Sequence, residues 1–234
     1  MSASLAIFLL AAMLMCFQSG FFSAVKAYHG TGPTYTVSKM FGCFIYLALC
    51  ITGLALHGAD AYGILLFCGM LLGAAGDYFL AFASKGRLKI GGGCFLAGHV
   101  FYIAAFISAA GLRWQPFAAM VIIYALELGL AKLLRFRFHG VRTLVMSYAF
   151  IITLMTCTAI SALPSPRVET ARAIFICGGA VLFLISDILW AIAHFASGFS
   201  RNTLRWLKIF NVVTYFPAQL VLAGSLMSEH IISL

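Results

Sequence analysis

Charge is what this sequence has least of: Asp, Glu, Lys and Arg make up 9% of its 234 residues, and only six residues are acidic. A soluble domain carries about a quarter of its residues charged, so water is not the main solvent of this chain. Proline is scarce as well, with five residues, and no polar stretch is long enough to build a separate soluble domain. Cys16, Cys43, Cys50, Cys68, Cys94, Cys157 and Cys177 form no C-x-x-C motif and no Cys/His cluster. All seven fall inside apolar runs, where cysteine behaves as a small packing residue. H-x-x-x-H and H-E-x-x-H spacings are missing too, so the sequence implies no metal and no cofactor.

What fills the chain is apolar: 63% of the residues are hydrophobic and the mean hydropathy is +1.05. A bilayer core takes about 20 apolar residues per helix, and the chain divides almost completely into runs of that length. They cover Ala3 to Val25, Val37 to His57, Ala61 to Ala83, Cys94 to Ala110, Gln115 to Leu134, Thr143 to Leu163, Ala171 to Ala196 and Arg205 to Met227. The first run is long for a signal-peptide core and no Lys or Arg precedes it, so it reads as a spanning helix. The expected fold is an all-α membrane protein, a single domain of eight transmembrane helices over residues 1–234.

The net charge of +9 reports topology rather than nucleic-acid binding. The odd-numbered connections and adjoining helix ends hold Lys26, Lys39, Lys85, Arg87, Lys89, Lys132, Arg135, Arg137, Arg142, Arg201, Arg205 and Lys208, twelve of fifteen basic residues. Arg113, Arg167 and Arg172 are left for the even connections. The positive-inside rule therefore places the odd connections in the cytoplasm and both termini outside it. The expected location is a multi-pass protein of a bacterial inner membrane.

An ionisable side chain at the bilayer centre costs about 2.5–3.5 kcal/mol even on mild insertion scales, so each needs a reason. Asp60, Glu169 and Glu229 belong to loops or the tail, leaving Asp77, Glu127 and Asp187 inside helices. At about 1.5 Å of rise per residue, Asp77 lies about 10 Å below the cytoplasmic end of its helix and Asp187 about 15 Å. His99, Tyr102, Asn211 and Tyr215 fall at comparable depths, as do Gln18, Ser19 and Ser147, with Lys39 at the rim. Such a layer in one half of the membrane describes a cavity, whereas polar residues that only join helices would be spread over all depths. His99 and Tyr102 are i,i+3 neighbours, Asn211, Tyr215 and Gln219 form an i,i+4,i+8 stripe, and Asp187 and His194 share a face. Glu127, near Lys132 and Arg135, is expected to be ion-paired or to snorkel. Gly76-Asp77-x-x-x-Ala81-x-Ala83 echoes Ser186-Asp187-x-x-x-Ala191-x-Ala193, a weak sign of a parallel repeat of 1–114 and 115–234.

Four segments in this order and spacing, Leu72-Gly73-Ala74-Ala75-Gly76-Asp77, Gly93-Cys94-Phe95-Leu96-Ala97-Gly98-His99-Val100-Phe101-Tyr102, Leu184-Ile185-Ser186-Asp187 and Thr214-Tyr215-Phe216-Pro217-Ala218-Gln219, resemble the YhhN family of lysoplasmalogenases. The resemblance runs over nearly the whole chain. It implies hydrolysis of the vinyl ether bond of a lysoplasmalogen to a fatty aldehyde and glycerophosphoethanolamine or glycerophosphocholine. It carries roles to Asp77, His99, Tyr102, Asp187, Tyr215 and Gln219, and matches Lys39 to a basic residue at the start of the family's second helix. Met40 stands where that family usually has proline.

On this reading the partners are a lysophospholipid substrate and the bilayer, with no nucleic acid. Asp77, Asp187 and His99 are the catalytic candidates; Lys39, Tyr102, Asn211, Tyr215 and Gln219 are the substrate-binding ones. Vinyl ether hydrolysis needs a proton for the carbon distal to oxygen and then an anion to steady the oxocarbenium ion while water adds, tasks that two aspartates can share. The surface cations Lys85, Arg87, Lys89, Arg201 and Arg205 would attract the phosphate. Two rivals remain open: a proton-coupled transporter, for which polar residues would reach both faces, and a lysolipid-binding protein without catalysis.

Overall fold

The computed structural model describes residues 2–28, 32–82 and 84–228. Ala83 and Glu229, and the side chain of Lys85, lie outside the described residues. The chain forms eight helices: α1 (Ala3–Tyr28), α2 (Pro33–His57), α3 (Ala61–Leu80), α4 (Lys85–Ala110), α5 (Gln115–Leu133), α6 (Arg142–Ile160), α7 (Thr170–Phe195) and α8 (Arg201–Gly224). All eight are long and apolar enough to cross a membrane, and the described residues contain no strand. This is the all-helical architecture the apolar runs predict, since only a helix satisfies its own backbone within a hydrocarbon layer.

Short polar residues start several of these helices. The Asp60 carboxylate accepts from the Gly63 amide at 2.7 Å to open α3, the Ser84 hydroxyl accepts from Arg87 to open α4, and Ser200 accepts from Thr203 to open α8. The largest boundary difference is at α4, which begins nine residues before the expected Cys94. Its first turns are basic and glycine-rich, so they break the apolar run without breaking the helix.

Those glycines are needed for packing. A Cβ on Gly91 of α4 would lie 3.0 Å from the Gly76 carbonyl oxygen of α3, and one on Gly98 would lie 3.0 Å from the Gly69 carbonyl oxygen. The two glycine pairs, seven residues apart on each helix, let α3 and α4 approach closely in antiparallel fashion. This contact and the α7–α8 contact are the most extensive between helices.

Helices α2, α3, α4, α6, α7 and α8 close a ring through successive contacts, α1 packs outside it on α2 and α8, and α5 packs on α6. Met13 and Phe17 on α1 and Val121, Ile122 and Leu126 on α5 are exposed apolar side chains, as expected of lipid-facing helices. The ring core at the end away from the odd-numbered connections is filled by Leu49, Leu66, Phe106, Met155 and Ile176. Buried hydroxyls occur there too, but Thr158 and Ser161 donate to carbonyls of their own helix. Tyr62 and Ser225 instead join α3 to the chain just past α8.

Candidate functional site

A cavity of about 610 Å³ opens at the end of the bundle carrying the odd-numbered connections. Its lining draws on the last turns of α1, α3, α5 and α7 and the first turns of α2, α4, α6 and α8. The walls are mainly apolar, with Phe22, Phe95, Leu144, Leu184, Ile188 and Phe216 among them. Asp77, Asp187 and Glu127, the intramembrane carboxylates singled out in the sequence, all line this one space.

Asp77 is 2% exposed. Its Oδ1 is 2.8 Å from Lys39 Nζ, its Oδ2 accepts from the Tyr215 hydroxyl at 2.6 Å, and the Cys43 thiol donates to Oδ2 at 3.3 Å. Lys39 Nζ also donates to the Asp77 carbonyl oxygen at 3.2 Å. Lys39 is thus buried in the wall and bound to the acid, instead of guarding the rim. Behind Tyr215 the chain of bonds continues: Gln219 Nε2 donates to the Tyr215 hydroxyl at 3.5 Å, and the Tyr102 hydroxyl donates to Gln219 Oε1 at 2.8 Å.

Asp187 heads a second chain. The Tyr148 hydroxyl on α6 makes a short hydrogen bond to Asp187 Oδ2, and His99 Nε2 lies 2.8 Å from the same hydroxyl and 3.9 Å from Asp187 Oδ2. His99 is buried, and its Nδ1 has no hydrogen-bond partner among the described residues. Ser186 donates to Asp187 Oδ1 at 3.1 Å; Asn211 Nδ2 donates to the Ser186 carbonyl at 3.0 Å and Asn211 Oδ1 accepts from Lys26 Nζ at 2.9 Å. Phe183 lies between the chains, its ring centroid 5.3 Å from that of Tyr215 and 4.9 Å from that of His99.

The eight candidates therefore gather around one end of the bundle, but at two depths. Lys39, Asp77, Asp187, Asn211 and Tyr215 line the cavity, while His99, Tyr102 and Gln219 stand behind its wall. Besides that of Lys39, three expectations change. Glu127 accepts from Thr153 at 2.9 Å and has no ion pair among the described residues, because Thr153 on α6 is closer than the basic residues at the end of its own helix. Ser147 is exposed, and the neighbouring Tyr148 is the α6 side chain that reaches the site. Gln18 lies between α1 and α2, donating to the Ser38 carbonyl at 2.9 Å.

Sequence reasoning missed Tyr148, Lys26 and Phe183. Tyr148 falls in the same depth layer as the other polar residues, so that argument held the signal for it. Lys26 looked like a topology marker at a helix end, and Phe183 like any apolar residue. Among the described residues, no group of three or more His, Cys, Asp or Glu side chains is arranged to hold a metal ion.

The two acids are each met by side chains of two neighbouring helices, with different partners. Asp77 on α3 is met by α2 (Lys39) and α8 (Tyr215), and Asp187 on α7 by α6 (Tyr148) and α4 (His99). Fold and site together define an eight-helix integral membrane protein with paired intramembrane carboxylates in a chamber at one end. The family model of the YhhN family matches residues 35–226, and the chain belongs to that family. The match spans every candidate from Lys39 to Gln219. No curated protein and no solved structure matches the chain at a significant level.

Proposed function

We propose that the protein is a membrane-embedded hydrolase that cleaves the vinyl ether bond of lysoplasmalogens, releasing a fatty aldehyde and the glycerophospho-headgroup alcohol. The observation that carries this reading is the pair of aspartates in one apolar chamber, one held by an ammonium and the other by a tyrosine–histidine chain. Membership of the YhhN family supports it. So does the chamber itself, whose apolar walls suit an alkyl chain and whose mouth is basic. The positive-inside rule puts that mouth at the cytoplasmic face.

The environments divide the labour between the acids. Asp77, against the Lys39 ammonium at 2.8 Å, is the anion. Asp187, with no Lys or Arg in ion-pair distance among the described residues, is the acid. The Asp187 proton passes to the vinyl carbon distal to oxygen, and the positive charge that results is shared between the adjacent carbon and the ether oxygen. Asp77 steadies that oxocarbenium ion, because charge fixed in a water-poor site acts strongly on a charge that develops there. Water adds to the cationic carbon and gives up a proton, and the Asp187 carboxylate can take it. The hemiacetal then breaks its bond to the glycerol oxygen, which takes the proton held by Asp187 and leaves as an alcohol, while the hemiacetal hydroxyl gives its proton back to the Asp187 carboxylate and becomes the aldehyde oxygen. Tyr148, hydrogen-bonded to both Asp187 and His99, is placed to pass a proton between them.

The transporter alternative calls for ionisable groups reaching the opposite face, whereas the three intramembrane carboxylates, Asp77, Glu127 and Asp187, all line the chamber at one end. The test is aldehyde release from lysoplasmenylethanolamine by detergent-purified protein, beside its saturated ether analogue and the Asp77→Asn variant. Release from the vinyl ether alone, reduced about 10²–10⁴-fold in the variant, is expected. No release from folded protein, or undiminished release by the variant, overturns the proposal.

A further inference from the structure

Three lysines line the chamber, and only one has an acid partner. Lys39 is paired with Asp77, whereas Lys26 and Lys208 have no carboxylate in ion-pair distance among the described residues. Lys26 is held by Asn211 Oδ1 at 2.9 Å. Lys208 lies three residues before Asn211 on α8, one turn up the same face, and both its side chain and that of Lys26 are part-exposed in the cavity lining. Lys39 and Lys208 both repel Lys26 electrostatically, while the Asp77 carboxylate, already paired with Lys39, attracts it. Like charges gathered against an apolar chamber are costly unless an anion joins them.

We infer that Lys26 and Lys208 form the seat for the phosphodiester of a lysophospholipid headgroup, with Asn211 as the positioning residue for Lys26. The inference rests on the lysolipid reading of this chamber and adds where the headgroup sits. Asn211 links the seat to the chemistry. Its Nδ2 holds the Ser186 carbonyl at 3.0 Å, and Ser186 holds Asp187 at 3.1 Å, so Lys26 is fixed relative to the acid by three consecutive bonds. On the same stripe of α8, Tyr215 lies seven residues from Lys208, about 10 Å of rise. Lysine side chains and a glycerophosphate arm together bridge that interval. A lipid anchored by its phosphate at this end would present its ether oxygen at the level of Asp77 and Asp187, with its chain directed into the apolar core. The basic residues expected to attract phosphate from the sequence, such as Arg87 and Arg201, are not in the cavity lining; Lys26 and Lys208 are.

The test compares two vinyl ethers, lysoplasmenylethanolamine and the phosphate-free 1-alkenylglycerol, in wild type, Lys26→Met, Lys208→Met and Lys26→Arg. The ratio of kcat/KM for the phosphate-bearing over the phosphate-free substrate should fall about tenfold in each methionine variant, as for the loss of one charge-assisted contact. Most of the fall should appear in KM, and Lys26→Arg should retain the ratio. Among the described residues Lys208 makes no side-chain hydrogen bond that its removal would break, so Lys208→Met stands as the test if Lys26→Met does not fold. An unchanged ratio in folded Lys208→Met, including equal losses on both substrates, overturns the inference. Inorganic phosphate is added as a competitor: variants that lose phosphate inhibition but keep the substrate ratio would show a free-anion site and overturn it too. If the wild type releases aldehyde from neither substrate, the hydrolase reading fails by itself. Binding of the saturated 1-alkyl lysophosphoethanolamine against 1-alkylglycerol then decides. A wild-type preference for the phosphate ligand that Lys208→Met loses supports the seat, and any other result overturns it.

Discussion

Replacing Lys39 by methionine isolates the lysine–carboxylate ion pair of the chamber. The side chains of Lys39 and Asp77 are 11% and 4% exposed with Nζ and Oδ1 2.8 Å apart, and Coulomb's law at an effective dielectric of about 20 gives about 6 kcal/mol of attraction. Desolvation offsets much of that attraction, but removing one partner leaves the other charge buried without compensation, which typically costs about 3–5 kcal/mol. Tyr215 and Cys43 remain as hydrogen-bond donors to Asp77, so the expected loss for Lys39→Met is about 3 kcal/mol. Asp77→Asn alone strands the ammonium and should cost a similar amount. The double variant removes both charges, and its loss should fall below the sum of the single losses by at least about 2 kcal/mol. Equilibrium unfolding in detergent, followed by far-UV circular dichroism, measures the cycle, and aldehyde release on the same samples should stay as low in the double variant as in Asp77→Asn. Additive losses would refute the claim that the pair acts as one unit; restored activity would refute a role for Asp77 as the anion.

Tyr148→Phe removes the hydroxyl between His99 and Asp187 and should lower kcat about 10²-fold or more with little change in KM, as read in aldehyde-release kinetics. Gly91→Val would set side-chain atoms against the Gly76 carbonyl, where even a Cβ would lie 3.0 Å away. Overpacking at so close an approach should cost about 1–3 kcal/mol and lower Tm in detergent, and because Gly76 adjoins Asp77 the turnover rate should fall with it.

The eight spans were legible because each apolar run is long enough to cross a bilayer and is bounded by residues that start or stop helices, such as Asp60, Ser84 and Ser200. Depth counting along the helices also brought Asp77, Asp187, Asn211 and Tyr215 to one level, and the side chains line one cavity there. Rotation about the helix axis was harder to read. Ser147 and Tyr148 differ by one residue, about 100° around the helix, and the depth argument alone could not choose between them. The start of α4 was obscured by Gly91, Gly92 and Gly93, which look like a break in sequence; Gly91 in fact lies against Gly76 of α3. Lys26 illustrates a third limit. Its charge was counted for topology, and its bond to Asn211, 185 residues later, has no trace in local pattern.

The paired settings of the two acids bear on how the chain is made. Where membrane helices enter the bilayer in order of synthesis, an acidic residue first meets partners on helices already made. Asp77 arrives after Lys39, and Asp187 arrives after both His99 and Tyr148. Asp77 therefore meets its charged partner upstream and Asp187 both of its ring partners, and Tyr215, the last of these to appear, closes on an Asp77 already held by its lysine. Glu127 alone precedes its partner, since Thr153 belongs to the next helix. Interrupting synthesis after α5 should leave that one carboxylate without its hydrogen-bond donor while Asp77 keeps its lysine.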